Sequence, residues 1–136
     1  MKDELISQNI HINLDIDDNI KIFGNKNEFK HLFLNFLNNS IDAFNEKNIH
    51  SRSVEIRCYK IDKKIIIEVE DNAGGIPQNI INHVFKPNIT TKAEGKGTGI
   101  GLYMSKQIVT KYNGKIDVKN TQAGVIFTIT LRESTI

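Results

Sequence analysis

Asn35, Asn39 and Asp42 fall at i, i+4 and i+7 of a helical pattern, which puts their side chains in one polar stripe. An asparagine offers a neutral carbonyl oxygen. That oxygen suits Mg²⁺, which takes hard oxygen donors and keeps phosphate oxygens and waters in its shell. Further along, Asp71 precedes Asn72-Ala73-Gly74-Gly75-Ile76-Pro77. A carboxylate there can accept a hydrogen bond from an exocyclic amino group, and the glycines let the backbone pass close to a flat ring. Gly95, Gly97, Gly99 and Gly101 then occupy alternate positions just before another helix. Exposed N–H groups and a helix N-terminus bind an anion without help from side chains. Thr90, Thr91 and Lys92 precede them and would bring hydroxyls and one cation to a terminal phosphate. Each group alone also has an ordinary reading as a solvated helix face, a strand-ending turn or a flexible loop. The glycine spacing is neither that of a Walker A loop nor that of a Rossmann turn. A metal ligand, a base reader and a phosphate cradle in one chain point to a single bound nucleotide.

The elements that must position these groups follow from periodicity. Ile10, Ile12, Leu14 and Ile16 alternate with polar neighbours, and Asn19–Phe23 repeats the pattern after Asp17-Asp18, which predicts a hairpin. From Asn27 the period becomes helical. Phe29, Leu32, Phe33, Phe36, Ser40, Ala43 and Phe44 share one face of a helix of about 18 residues, with Asn27 as its cap. Ser53–Tyr59 and Lys64–Glu70 read as strands joined at Asp62-Lys63, the second being central to the sheet and feeding directly into Asp71. A short helical stretch over Gln78–Val84 lies between Pro77 and Pro87, and a polar segment runs from Asn88 to Gly99. Gly101–Tyr112 is a helix with Leu102, Ser105, Ile108, Val109 and Tyr112 on one face, ended by Asn113-Gly114. Lys115–Lys119 and Val125–Leu131 form a closing hairpin. Antiparallel hairpins interleaved with helices predict an α+β fold of two layers, with the helices on one face of a mixed sheet.

At 136 residues the chain fits one domain spanning 1–136. Its 39% hydrophobic and 25% charged residues suit a folded core and exclude a disordered tail. The net charge of +2 is too small, and its lysines too scattered, to argue for nucleic acid. Cys58 is the single cysteine and sits in an alternating strand pattern, so no internal disulfide forms. No apolar stretch has the length of a membrane span, and the first residues lack a signal-peptide profile, which predicts a cytoplasmic location.

Taken in order, these blocks resemble the catalytic ATP-binding domain of sensor histidine kinases, within the wider group that includes gyrase, Hsp90 and MutL ATPases. The resemblance covers almost the whole chain. Asn35-Phe36-Leu37-Asn38-Asn39-Ser40-Ile41-Asp42-Ala43 resembles the family's N box, which implies Asn39 as the Mg²⁺ ligand and Asn35 as the polar residue one turn earlier. Asp71-Asn72-Ala73-Gly74-Gly75 is similar to the G1 box, with Asp71 as adenine reader and Ala73, Gly75 and Ile76 beside the nucleotide. Val84-Phe85-Lys86-Pro87 and Thr90-Thr91-Lys92 resemble the F box and the start of the ATP lid. Gly97-Thr98-Gly99-Ile100-Gly101-Leu102 resembles the G2 box. The implied nucleotide contacts also include Asp42, Ala43, Phe85 and Thr128, and the implied catalytic set is Asn35, Asn39 and Lys92. Three positions depart from the pattern: Ala73 replaces a glycine, Asn88 replaces an aromatic residue, and Ser40 replaces an alanine with little expected consequence.

The resemblance implies a Bergerat fold, a two-layer α/β sandwich whose mostly antiparallel sheet is covered on one face. It also implies transfer of the ATP γ-phosphoryl group to a histidine on a helical dimerisation domain, with a response regulator downstream. His11, His31, His50 and His83 all lack the acceptor motif, so the chain is expected to be a monomeric catalytic fragment. Whether the parent kinase is anchored in a membrane is left open. Two alternatives stand beside this reading: a serine kinase of the anti-sigma-factor type, and a nucleotide-binding regulatory module without turnover. Asn35 stands where relatives that activate a hydroxyl or water carry a glutamate, and an amide does not titrate.

Overall fold

The computed structural model describes residues 9–17, 20, 24–86 and 101–132. Among these described residues, five strands and three helices follow in the order β1 (Ile10–Ile16), α1 (Lys26–Glu46), β2 (Arg52–Ile61), β3 (Lys64–Asp71), α2 (Gln78–Ile81), α3 (Gly101–Lys111), β4 (Lys115–Asn120) and β5 (Val125–Arg132). The sheet order is β1-β2-β3-β5-β4. Only the β1–β2 pair is parallel. The sheet is therefore mixed and mostly antiparallel, with β3 in its middle, as its run of isoleucines predicts.

The hairpin expected between Ile10–Ile16 and Asn19–Phe23 falls largely outside the described residues. β1 lies beside β2 with Ile12 opposite Val54, and of Asn19–Phe23 only Ile20 is among the described residues, outside any strand. Alternation specifies which face of a strand is buried and says nothing about its neighbour. Beyond the cover of the helices, Leu14 and Ile16 stay 62% and 49% exposed.

Helix α1 has its cap two residues earlier than expected and runs for 21 residues. Asn25 is the cap: its backbone is extended, and its side-chain oxygen accepts from the N–H groups of Asn27 and Glu28 at 2.8 and 3.2 Å. Such a cap stabilises a helix by about 1 kcal/mol. Both asparagines have the right chemistry, and only Asn25 precedes the first helical residue. Leu32, Phe36, Leu37, Ser40, Ile41 and Phe44 turn inward from α1. They meet Val54, Ile56, Ile65, Ile67, Val69, Phe127 and Ile129 from the sheet, and the rings of Phe36 and Phe127 stack 4.9 Å apart. Burying side chains of this size contributes about 2 to 3 kcal/mol each. Helix α3 adds Ile108 and Val109 to the same face.

The turn after α3 shows why the Asn113-Gly114 pair stops it. Asn113 takes the left-handed conformation, φ 61°, and Gly114 donates its N–H to the Val109 carbonyl at 2.9 Å. A Cβ on Gly114 would lie 2.8 Å from the Thr130 carbonyl oxygen, so glycine also lets α3 close down on β5. At this same end of α3, Tyr112 donates to Glu28 at 2.7 Å, accepts from the Asn25 N–H, and stacks on Phe29.

The far face of the sheet carries polar residues. Arg57 there bonds to Glu55, Glu68 and Glu70, and Glu68 and Glu70 raise its already high pKa. Among the described residues no helix is long and apolar enough to cross a membrane.

Candidate functional site

Asp71 is the last residue of β3, opposite Val54 on one side and Val125 on the other, and only 7% exposed. Its Oδ2 accepts from the Ser40 hydroxyl at 2.6 Å, and its Oδ1 accepts from the Ala73 N–H at 3.0 Å. Burial pushes this carboxyl above the usual carboxylate range. The Ser40 hydroxyl, the Ala73 and Val125 backbone groups and the nearby Lys47 charge pull it partly back.

Beside Asp71 lies a hollow of about 270 Å³. Asn39 and Ala43 line it from α1, Ala73, Gly75 and Ile76 from the loop after β3, and Val125 from β5. The expected metal ligand and the expected base reader therefore share one cavity, although they come from opposite layers. Such a cavity is open enough for a flat ring and is walled by both polar and apolar groups.

The loop that follows Asp71 is pinned along its length. Asn72 continues the sheet with its side chain, accepting from the Ser53 N–H at 2.9 Å and donating to the Ser51 carbonyl at 2.8 Å. Gly74 takes φ 79°, which favours glycine, and donates to the Ala123 carbonyl at 3.0 Å. Lys47, just past α1, donates to the Gly75 carbonyl at 3.0 Å. The side chain of Asn120 brackets Ile76, accepting from its N–H at 2.8 Å and donating to its carbonyl at 2.9 Å. Replacing Asn120 by alanine is expected to lower stability by about 2 kcal/mol, since two hydrogen bonds disappear together. Urea unfolding of the two proteins measures this, and an unchanged midpoint would show that the bracket is dispensable.

The stripe of Asn35, Asn39 and Asp42 divides. Asn35 donates its amide to the Gly101 carbonyl at 3.2 Å and to the Ser105 hydroxyl at 3.3 Å, which ties α1 to the start of α3. It does not line the hollow with Asn39, and Asp42 does not line it either. A full turn between Asn35 and Asn39 is enough for a second helix to capture the first amide. Phe85 packs edge-on to Phe127 at 6.3 Å and is half-buried in the core, away from the hollow. Leu102 also packs against the core, and Gly101 is the first described residue of α3.

Thr128 is placed on the wrong side for its expected role. In β5, Val125, Phe127, Ile129 and Leu131 face the helices, so Thr128 points to the other face, between Glu68 and Asp117. Strand parity makes the correction: Val125 is the β5 residue in the hollow. Asn88, Thr90, Thr91, Lys92, Gly97, Thr98, Gly99 and Ile100 lie outside the described residues. Sequence reasoning also missed Ser40 as a partner of Asp71, Lys47 and Asn120 as anchors of the loop after it, and Gly124, which lies against the Asp71 backbone. All four act through contacts distant in sequence, which no local spacing signals. The polar hollow behind β2 and β3 takes in His11, Asn13, Glu55 and Glu70, and both glutamates are paired with Arg57.

Residues 24–135 match a family model described as histidine kinase-, DNA gyrase B- and HSP90-like ATPase. Sporulation kinase D of Bacillus subtilis (strain 168) is 37% identical over 107 residues, covering 78% of this chain and 20% of its own length. The chain spans about a fifth of the length of the curated relatives it matches. The catalytic domain of the histidine kinase ThkA, in a nucleotide-free form, superposes with a TM-score of 0.82 at 23% identity, over 97% of this chain and 86% of that one. ThkA in complex with the response regulator TrrA superposes with a TM-score of 0.78 at 20% identity, over 98% of this chain and 37% of that one.

Proposed function

The chain belongs to the family of histidine kinase-, DNA gyrase B- and HSP90-like ATPases, and on that footing we propose that it is the ATP-binding catalytic domain of a sensor histidine kinase. The observation that carries this reading is the shared hollow, of about 270 Å³, which a buried carboxylate and a helix-borne amide line together.

In this reading Asp71 accepts from the adenine amino group, and Ala73, Gly75, Ile76 and Val125 form the walls. Ala43 lies under the ring. The phosphates run towards Asn39 and the N-terminus of α3, where the backbone over Gly97 to Gly101 receives them. Thr90, Thr91 and Lys92 act on the γ-phosphate, with Thr98, Ile100 and Leu102 contributing around it. Among the described residues no group of three or more carboxylates, histidines or cysteines gathers around a metal position. The neutral amide oxygen of Asn39 would serve as one ligand to Mg²⁺, a hard ion that usually keeps phosphate oxygens and waters in its shell. When bound, the ion neutralises charge on the phosphates.

The acceptor is an imidazole on a separate helical domain. Its unprotonated ring nitrogen forms the N–P bond as the bond from Pγ to the bridging oxygen breaks. ADP leaves with that electron pair, and the other ring nitrogen releases its proton to solvent. An imidazole is already nucleophilic, so the step needs positioning and charge neutralisation more than a general base. Asn35 supplies no base, and its hydrogen bonds to Gly101 and Ser105 instead hold the phosphate-facing helix in register with α1. A response regulator then takes the phosphoryl group, in keeping with the ThkA–TrrA complex.

Titration calorimetry with a non-hydrolysable ATP analogue, with and without Mg²⁺, tests the site. Mg²⁺ is expected to tighten binding to the unsubstituted protein, and Asn39→Ala is expected to remove most of that gain, about tenfold or more in Kd, while leaving metal-free binding unchanged. Metal-independent binding by the unsubstituted protein would overturn the assignment. Incubation with labelled ATP and a histidine-bearing helical hairpin from a relative tests transfer, and label on a serine substrate would reverse the choice of acceptor.

A further inference from the structure

Ser40 is 1% exposed on α1, and its hydroxyl lies 2.6 Å from Asp71 Oδ2. Oδ1 takes the Ala73 N–H, and the Val125 backbone supplies another hydrogen bond to the same carboxylate. An ionised carboxylate accepts about four hydrogen bonds, so three internal donors leave roughly one free acceptor position. The donors arrive from three elements, α1, the loop after β3, and β5, which fixes the plane of the group as well as its charge. The hollow is the direction left open.

We propose that Ser40 is a specificity-determining positioning residue, which holds Asp71 as an acceptor-only group aimed into the hollow and so excludes purines with a carbonyl at position 6. The inference rests on the nucleotide reading of the site and adds to it the device that sets base choice. A 6-amino purine offers a donor to the remaining lone pair. A 6-oxo purine offers an acceptor, which the carboxylate repels. Without the Ser40 hydroxyl, Asp71 loses one of the groups that keep it ionised, and a protonated carboxyl can donate to a 6-oxo group. The other titratable groups near it are Lys47 and Glu46 at the rim of the hollow, and His11, Glu55 and Glu70 behind the strand. Ser40→Ala leaves all five in place.

Calorimetric titration of the chain and of Ser40→Ala with ATP and with inosine triphosphate tests the inference. The unsubstituted protein is expected to prefer ATP strongly, and the variant to lose about tenfold of that preference, the size expected for one hydrogen bond to a charged group. An unchanged ATP-to-inosine ratio in the folded variant would overturn it. A second reading uses the protein without nucleotide: carbon-detected NMR of the Asp71 carboxyl across pH, in which Ser40→Ala should shift the titration upward and a coincident curve would refute the coupling. Binding of neither nucleotide by the unsubstituted chain would overturn the nucleotide reading itself, while the carboxyl titration still decides the role of Ser40.

Discussion

Asp71→Asn will abolish measurable ATP binding, a loss of about a hundredfold or more, while the domain stays folded and is as stable as before or more so. The side chain keeps its shape, and its remaining oxygen can still accept from the backbone N–H groups that now meet Asp71. Its new NH₂ can donate to Ser40, whose hydroxyl rotates to accept. The hydrogen left over then points into the hollow, where the adenine amino group also brings a hydrogen. Donor faces donor, and a hydrogen bond to a charged group is replaced by a repulsive contact, on the order of 3 kcal/mol. Stability moves the other way. Burial raises the Asp71 pKa in the folded chain, so the folded protein holds this proton more tightly than the unfolded one. The contribution is favourable below the unfolded value and is lost as pH rises through the folded one, so the ionised group opposes folding at neutral pH. Removing the charge removes that penalty. Urea unfolding and calorimetric titration of the same two proteins give both halves, and a variant that binds ATP normally would dismiss Asp71 as the base reader. The same physics predicts that acidification weakens ATP binding at a pH above ordinary carboxylate titration, without a stability loss arising at Asp71.

Gly124→Ala is expected to be the most damaging single change for the fold. A Cβ built on Gly124 lies 2.0 Å from the Asp71 carbonyl oxygen and 2.8 Å from both its carbonyl carbon and Oδ1. No flexible side chain stands there to move aside. The obstacle is the end of β3, held on both edges by β2 and β5. Gly124 itself is fixed by the turn before β5, accepting from Thr121 N–H at 2.8 Å and donating to the Thr121 hydroxyl at 2.9 Å. Strand β5 must therefore peel away from Asp71 to admit one methyl group. Overpacking of this kind costs about 3 kcal/mol or more where backbone has to shift. The displacement would also carry away Val125 and its hydrogen bond to the carboxylate, so ATP affinity should fall with stability. Thermal unfolding and nucleotide titration report the two effects, and a variant with the original melting temperature would show that the strands part easily.

What was legible in the sequence had a period or a fixed order. The apolar stripe of α1 and the isoleucine run of β3 placed the long helix and the middle strand. Asp71 followed because it ends that strand. The cap was misplaced by two residues because Asn25 and Asn27 have identical chemistry, and position alone separates them. The parallel pairing of β1 was not legible, since alternation carries no information about which edge a strand joins. Thr128 enters only with the resemblance, whereas counting alternate positions from Phe127 puts it on the outer face. Ser40 was read as an inert replacement for alanine, and its hydroxyl is in fact bonded to the base-reading carboxylate. Nothing within a few residues of Ser40 signals that bond, because its partner lies on the other layer.

The polar side of the sheet has a consequence of its own. One guanidinium, Arg57, is shared there among Glu55, Glu68 and Glu70, so a single cation on β2 clasps two carboxylates of β3. Glutamates that would otherwise push one another away are gathered by it, a rivet through the outer side of the strand that ends at Asp71.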